Sequence, residues 1–394
     1  MIALPDLVCS ECSAAYPVES LVWQCSCGGV LDVAEFAIDV DTAALPGRTA
    51  SLWRYAEALP IEVDPTLTLG EGLSPLVPAR ALSHVQFKLD FLLPTLSFKD
   101  RGAVVLATLA KRLGVTRAMV DSSGNAGTAM AAFFGRAGIG CTVYVPESTS
   151  PAKLRQMRAH GATVELVPGS RAATSAAALQ AAGRDGVLYA SHVYHPYFLH
   201  GVKTYGYEIW EQRGRSLPET VVVPVGNGTL VLGCYLAFSE LVAAGLAERM
   251  PRIVAVQASA CSPLEQAMAL GRDEPVFVES GATIADGIAI ALPPRGRQIL
   301  RAVRATGGTI VSVADEQIAA ARQELADEGL FVEPTAAVCY AAVRAAVDQT
   351  FDPESLTWTG AASLLTAASV VVPLCGAGLK SPGDTTSMHA ILPE

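Results

Sequence analysis

The sequence predicts an α/β protein with parallel sheets covered by helices on both faces. Three observations predict it. Short β-branched runs alternate with alanine-rich stretches from Leu67 onward, the strand-to-helix junctions are built of Gly, Ser and Asn, and half of the 394 residues are apolar. Segments 118–121, 142–145, 163–167, 221–225, 253–257 and 370–374 read as buried strands. Segments 103–113, 127–137, 230–244 and 336–347 read as helices. In open α/β sheets ligands gather where strand carboxyl ends meet helix N-termini, so those turns are where chemistry is expected.

Composition narrows the function. The net charge is −10, which argues against nucleic-acid binding. The apolar stretch 363–375 falls short of the roughly 20 residues a membrane helix needs. The N-terminus lacks a basic region followed by a long apolar run, so no signal peptide is expected. Nine cysteines, an odd and scattered set, do not read as a disulfide framework, and a reducing cytoplasm is the simpler expectation.

The first element is a small unit over 1–45. Cys9-x2-Cys12 and Cys25-x-Cys27, with glycines after the last, have the ligand set of a zinc ribbon, although the second pair is one residue shorter than the common knuckle. A bound zinc there would be structural, because four thiolates close its coordination sphere.

The next element is the turn from Pro94 to Gly102, which contains Thr95, Ser97 and Lys99. Thr95 or Ser97 is a candidate cap for the following helix. Lys99 then lies near a helix start, a poor place for a cation and a better one for a neutral, nucleophilic amine. The competing reading is a surface lysine paired with Asp100 or another carboxylate.

Two further turns follow strands and open helices. Asp121-Ser122-Ser123-Gly124-Asn125-Ala126 presents backbone N–H groups and short donors suited to a carboxylate. Pro224-Val225-Gly226-Asn227-Gly228-Thr229 lets the backbone approach a ligand and forms an anion nest whose natural guest is a phosphate. It lacks the spacing of a nucleotide P-loop or a dinucleotide fingerprint. Taken singly, each turn is as well explained by simple capping.

In combination and in this order, these segments resemble fold-type-II pyridoxal-phosphate (PLP) enzymes of the tryptophan synthase β superfamily, specifically the threonine synthase branch. The resemblance rests on 94–102, 122–126, 224–229, 69–76, 332–337 and 376–380, with 51–55 and the early cysteines in support, and it covers nearly the whole chain. It implies two parallel-sheet, three-layer domains: a small substrate-carboxylate domain at 94–190, and a large PLP-phosphate domain from 46–93 and 191–394. Lys99 is then the Schiff-base lysine and proton carrier. Asn125 bonds the cofactor's 3′ oxygen, Gly226, Asn227, Gly228 and Thr229 hold its phosphate, and Cys375 lies beside the pyridine nitrogen. Ser97, Ser122, Ser123, Ala126 and His195 face the substrate. A buried core cysteine is the rival reading of Cys375.

The sequence departs from that pattern at Leu96, where the family has glycine, and at Leu93, where it has asparagine. Leu96 is expected to add bulk near the substrate. Phe198 stands where the family arginine grips a substrate phosphate, and His195 where it has asparagine. Lys153, Arg155, Arg158 and Lys203 are candidate replacement cations, and His192, His195 and His200 candidate acids or donors.

The expected activity is a PLP-dependent carbon–oxygen lyase, with threonine synthase leading: O-phosphohomoserine and water to threonine and phosphate. The rivals are β-replacement on O-phosphoserine, as in cysteate synthase, and serine or threonine dehydration. A non-enzymatic rival is a degenerate paralogue whose ribbon is an interaction module. The expected partner is a small amino-acid substrate, with no nucleic acid and no membrane, and a homodimer is the expected assembly.

Overall fold

The computed structural model describes residues 3–380 apart from 150, 170, 183–185, 280 and 353–354. A three-stranded antiparallel sheet opens the chain, from β1 (Leu7–Cys9), β2 (Ala15–Tyr16) and β3 (Leu31–Val33) in the order β2-β1-β3. The next two strands are β4 (Leu76–Pro78) and β5 (Val85–Lys88). They are followed by helix α1 (Lys99–Arg112), β6 (Arg117–Val120), α2 (Asn125–Arg136), β7 (Gly140–Pro146), α3 (Pro151–Ala159), β8 (Thr163–Val167), α4 (Arg171–Ala182) and β9 (Val187–Tyr189). Beyond them come α5 (Pro196–Gln212), β10 (Thr220–Pro224), α6 (Thr229–Ala243), β11 (Arg252–Ala258), α7 (Pro263–Ala269) and α8 (Gly296–Ala305). The remainder is β12 (Thr309–Val313), α9 (Asp315–Asp327), α10 (Pro334–Asp348), α11 (Leu356–Leu365) and β13 (Val370–Pro373).

Strands β6 to β9 form a four-stranded parallel sheet in the order β8-β7-β6-β9. A six-stranded sheet runs β12-β11-β10-β13-β5-β4, parallel except for the edge strand β4. Strands β10, β11 and β13 are almost wholly buried, as expected where helices cover both faces of a parallel sheet. The α/β expectation holds, and the expected strands fall within a residue or two of the observed ones.

The pattern missed the inner strand β5, the edge strands β4, β9 and β12, and the short N-terminal strands β1 to β3. Val85–Lys88 ends in a lysine, Val187–Tyr189 is only three residues long, and Thr309–Val313 begins half-buried, so none has the long apolar run that marks a central strand. Their partners supply what the local pattern lacks: β13 pairs with β5 through Val370↔Val85 to Pro373↔Lys88.

The N-terminal sheet is tied to the rest by aromatic and cationic contacts. Trp23 packs edge-on against Tyr189 at 5.3 Å and Tyr194 at 5.0 Å. The buried Arg295 guanidinium donates to the carbonyls of Leu31, Val193 and Tyr194 and pairs with Asp32 at 3.0 Å. The ribbon therefore braces the 192–195 loop. No helix among the described residues is long and apolar enough to cross a membrane.

Candidate active site

Helix α1 begins at Lys99, and its start is held by the two residues that follow. Asp100 is buried; it accepts from the Thr95 backbone N–H at 2.6 Å and from the Thr95 hydroxyl. Burial pushes its carboxyl up to about 7, against the pull of those hydrogen bonds. Arg101, fully buried, forks onto both oxygens of Asp90 at 2.8 Å and also meets Glu208. Lys88 pairs with Glu208 at 2.6 Å in the same cluster. Lys380 closes the turn from the other side, donating to the Thr95 carbonyl at 2.7 Å.

The expected side-chain cap is absent. Phe98 is the N-cap, Thr95 is occupied by Asp100, and the buried Ser97 hydroxyl has no hydrogen-bond partner among the described residues. The turn itself carries strain, because Leu96 sits at φ 65°, the left-handed region that favours glycine. Leu96 does not line the cavity described below, so the expected crowding of a substrate by its side chain is not what the fold produces. What the leucine changes is the backbone energy of the turn.

Lys99 opens onto a cavity of about 340 Å³, a volume within the range of small-molecule sites. Its Nζ lies 3.1 Å from the Thr229 hydroxyl and makes no ion pair with a carboxylate among the described residues, which disposes of the surface-lysine reading. Burial pushes the amine down to about 8, with Cys375 and Glu333 acting in the opposite direction. Residues Ser122, Ser123, Asn125, Ala126, Gly226, Asn227, Gly228, Thr229 and Cys375 line the same cavity. The fold thus brings together the lysine turn, the start of α2 and the start of α6. Ser97 and His195 are not among the lining residues. The His195 imidazole is buried against Tyr197, and its pKa is pushed down to about 3 by desolvation, with Arg295 adding to the effect.

Of the other candidate donors, His192 and Lys153 line the cavity. Lys203 is buried and paired with Glu240 at 2.6 Å, and His200 packs against Phe36. Phe198 is buried: a Cβ on Gly102 would come within 2.5 Å of its ring, and His192 stands edge-on to it at 5.9 Å.

Sequence reasoning omitted several lining residues from the site. Glu333, at the N-cap of α10, accepts both hydrogen bonds of the Asn125 amide nitrogen, at 2.9 and 3.1 Å. Its carboxyl is raised by burial, opposed by Asn125. A Cβ on Gly376 would approach its oxygen to 2.2 Å, so only glycine leaves room for that carboxylate. The Glu-Pro-Thr segment was the available signal. Thr335 belongs to that segment, whereas Asp286 and Ile288 carry no local signal, since they reach the cavity from the loop before α8.

The residues present fit an anionic, aldehyde-bearing cofactor. Among the described residues no protein acceptor takes the backbone N–H of Gly226, Asn227 or Gly228, and Gly228 holds φ 76° at the start of α6. A nest of free donors at a helix N-terminus suits a phosphate, and the partly desolvated amine beside it suits an aldehyde. Residues 67–362 match the family described as pyridoxal-phosphate dependent enzyme. The chain belongs to this family. Threonine synthase from Methanosarcina acetivorans is 34% identical over 353 residues, covering 87% of each chain. Threonine synthase from Methanocaldococcus jannaschii is 31% identical over 354 residues, 86% of this chain and 87% of that one. Among solved structures of the pyridoxal-phosphate dependent fold, maize serine racemase matches with a TM-score of 0.66 at 20% identity, over 81% of this chain and 91% of that one. A threonine deaminase from Solanum lycopersicum matches at 0.66 and 22% identity, over 89% and 88%. These likenesses establish the fold-type-II architecture, and as a member of the family the protein is a PLP-dependent enzyme.

At the far end of the chain, Cys9, Cys12, Cys25 and Cys27 converge, with all four sulfurs within 4.8 Å of one another. Cys9 and Cys27 lie 3.6 Å apart, Cys12 and Cys25 3.5 Å. Four thiolates about 2.3 Å from a tetrahedral zinc stand about 3.8 Å apart, so the cluster fits that ion despite the shortened second pair.

Proposed function

We propose that the protein is a threonine synthase, a carbon–oxygen lyase that converts O-phosphohomoserine and water into threonine and phosphate. The observation that carries the reading is the Lys99 amine, without a carboxylate in hydrogen-bond reach among the described residues, 3.1 Å from Thr229 at a nest of backbone donors. Threonine synthases 31% to 34% identical over most of the chain support the choice of substrate.

In this reading Lys99 bonds the cofactor aldehyde, and Gly226, Asn227, Gly228 and Thr229 hold its phosphate. Asn125 would bond the ring oxygen by giving up one of its two hydrogen bonds to Glu333. Cys375, which lines the cavity, would face the ring nitrogen, and a weakly bonding thiol there would make the ring a milder electron sink than a carboxylate would. When bound, the cofactor supplies a ring that withdraws electrons from substrate Cα. Ser122, Ser123 and the N–H groups at the start of α2 hold the substrate carboxylate. Lys99 takes the proton from Cα and redistributes protons at Cβ and Cγ, a role suited to an amine whose pKa burial has brought near neutrality. The same reading divides the chain into a ribbon at 1–45, a large domain from 46–93 and 191–394, and a small domain at 94–190. The cavity lies between the two larger units. Zinc held by Cys9, Cys12, Cys25 and Cys27 stiffens the ribbon, and nine free thiols suit a reducing, cytoplasmic setting.

The buried Phe198, where an arginine would grip phosphate, favours a second reading: β-replacement on O-phosphoserine or dehydration of serine or threonine. One experiment separates the two. Holoenzyme is given O-phosphohomoserine, O-phosphoserine, serine and threonine in turn, and phosphate and amino-acid products are measured. Threonine and phosphate from the first supports the proposal; no product from it, with turnover of another, replaces it.

A further inference from the structure

A substrate phosphate needs a cation in the cavity. Among the described lining residues the lysines and arginines are Lys99 and Lys153. Lys99 is committed to the cofactor. Lys203 is sealed away with Glu240, Lys380 is spent on the Thr95 carbonyl, and position 198 is an apolar ring. Lys153 projects from α3, on the side of the four-stranded sheet, and its Nζ lies 2.7 Å from Asp286 on the opposite wall. Both residues line the cavity. Asp286 is mostly exposed, at 65%, while Lys153 is exposed by only 20%.

That asymmetry has a direct consequence. The carboxylate can leave the pair for water at little cost, because exposed ion pairs contribute little. A phosphate dianion, with more charge and more acceptor oxygens, competes well for the ammonium. A neutral or merely hydroxylated side chain does not. We propose that Lys153 is the residue that recognises the substrate's phosphate, and that Asp286 occupies Lys153 until the phosphate displaces it. The inference rests on the O-phosphohomoserine reading above and deepens it: a cation on α3 does the work that Phe198 cannot.

The test uses holoenzyme with Lys153→Met, Lys153→Arg and Asp286→Asn. Two quantities are measured: steady-state constants for O-phosphohomoserine, and the affinity for inorganic phosphate by calorimetry. Loss of one charge-assisted hydrogen bond is expected to raise KM and the phosphate Kd about 10- to 100-fold in Lys153→Met. In that variant kcat should change much less and the cofactor's visible band should be kept. Lys153→Arg should restore most of the affinity. Asp286→Asn, by removing the competitor, should tighten phosphate binding; weakening instead would overturn the displacement. If Lys153→Met leaves both KM and phosphate Kd within about twofold, Lys153 is not the recognising cation, whatever the substrate. If wild type fails to turn over the ester yet binds phosphate in a Lys153-dependent way, the proposed reaction falls and this assignment stands. If wild-type holoenzyme binds no phosphate, the assignment falls.

Discussion

Two lysines close together in sequence, Lys88 and Lys99, stand in opposite chemical situations. Lys88 ends β5 and is wholly buried, but Glu208 lies 2.6 Å away, the Ser74 hydroxyl 2.6 Å away, and Arg101 and Asp90 complete the cluster. Lys99 opens α1 onto the cavity and, among the described residues, has the Thr229 hydroxyl and the Phe98 ring but no carboxylate in hydrogen-bond reach. Both amines are pushed down by burial, and a carboxylate directly opposes that shift in Lys88 alone by hydrogen bonding. The lesson is that burial alone does not make a lysine reactive. A buried amine compensated by a carboxylate is mortar, whereas one left with a neutral partner is available for bond formation.

The largest way to break this contrast is Lys99→Ala. The variant should lose turnover by at least about a thousandfold, and the visible band of bound cofactor should vanish. Retained turnover in a product assay would sink the assignment of Lys99. The converse experiment is Glu208→Gln, which strips Lys88 and Arg101 of a shared partner. Breaking a buried pair costs about 3–5 kcal/mol, so a marked fall in the thermal or denaturant midpoint is expected. An unchanged midpoint would mean that the cluster is not what anchors α1.

The third test uses pH. In the cofactor-free protein the Lys99 amine titrates near 8 in the folded state, against an ordinary 10.5. Below pH 8 the amine is charged in both folded and unfolded states, and folding bears the whole cost of desolvating it. Above 10.5 it is neutral in both and the cost is gone. Lys99→Met should therefore be more stable than wild type at pH 7, by on the order of 1–3 kcal/mol, with the advantage shrinking between pH 8 and 10.5. Equal stability across that range, measured by denaturant titration, would show that the amine is not desolvated.

The smallest effect concerns the turn before Lys99. Leu96 occupies a left-handed conformation, so Leu96→Gly should raise stability by about 0.5–1 kcal/mol after the unfolded-state entropy of glycine is counted. A fall in the midpoint would mean that the leucine side chain contributes more packing than the backbone strain removes.

Much of the site was legible in the residues. The strand-to-helix turns carrying Ser122, Asn125, Gly226 and Thr229 were readable because Gly, Ser and Asn before an apolar helix leave donors free. Lys99 was readable only in company, since its own segment fits an ordinary paired lysine as well and the combination with the two turns carried the resemblance. Glu333 was visible as a motif, but its role as the partner of Asn125 was not, since the two are far apart in the chain and meet only where the starts of α2 and α10 come together. His195 looked like a substrate ligand because it stands where the resembled family has asparagine. One step of backbone at the N-cap of α5 turned it toward Tyr197 while His192 kept the cavity. The inner strand β5 and the edge strands β9 and β12 escaped notice because each is short and lacks a long apolar run of its own.

Local chemistry therefore dictated the class of protein, the α/β alternation, the three reactive turns and the four thiols at the N-terminus. Those depend on backbone propensity, periodicity and donor placement over a few residues. Which lysine is compensated, and which histidine and which further lysine line the cavity, were decided by folding. Each of these depends on the dielectric and the partner delivered by a distant segment, as Glu208 is to Lys88 and Asp286 to Lys153. A short stretch of sequence carries no record of that encounter.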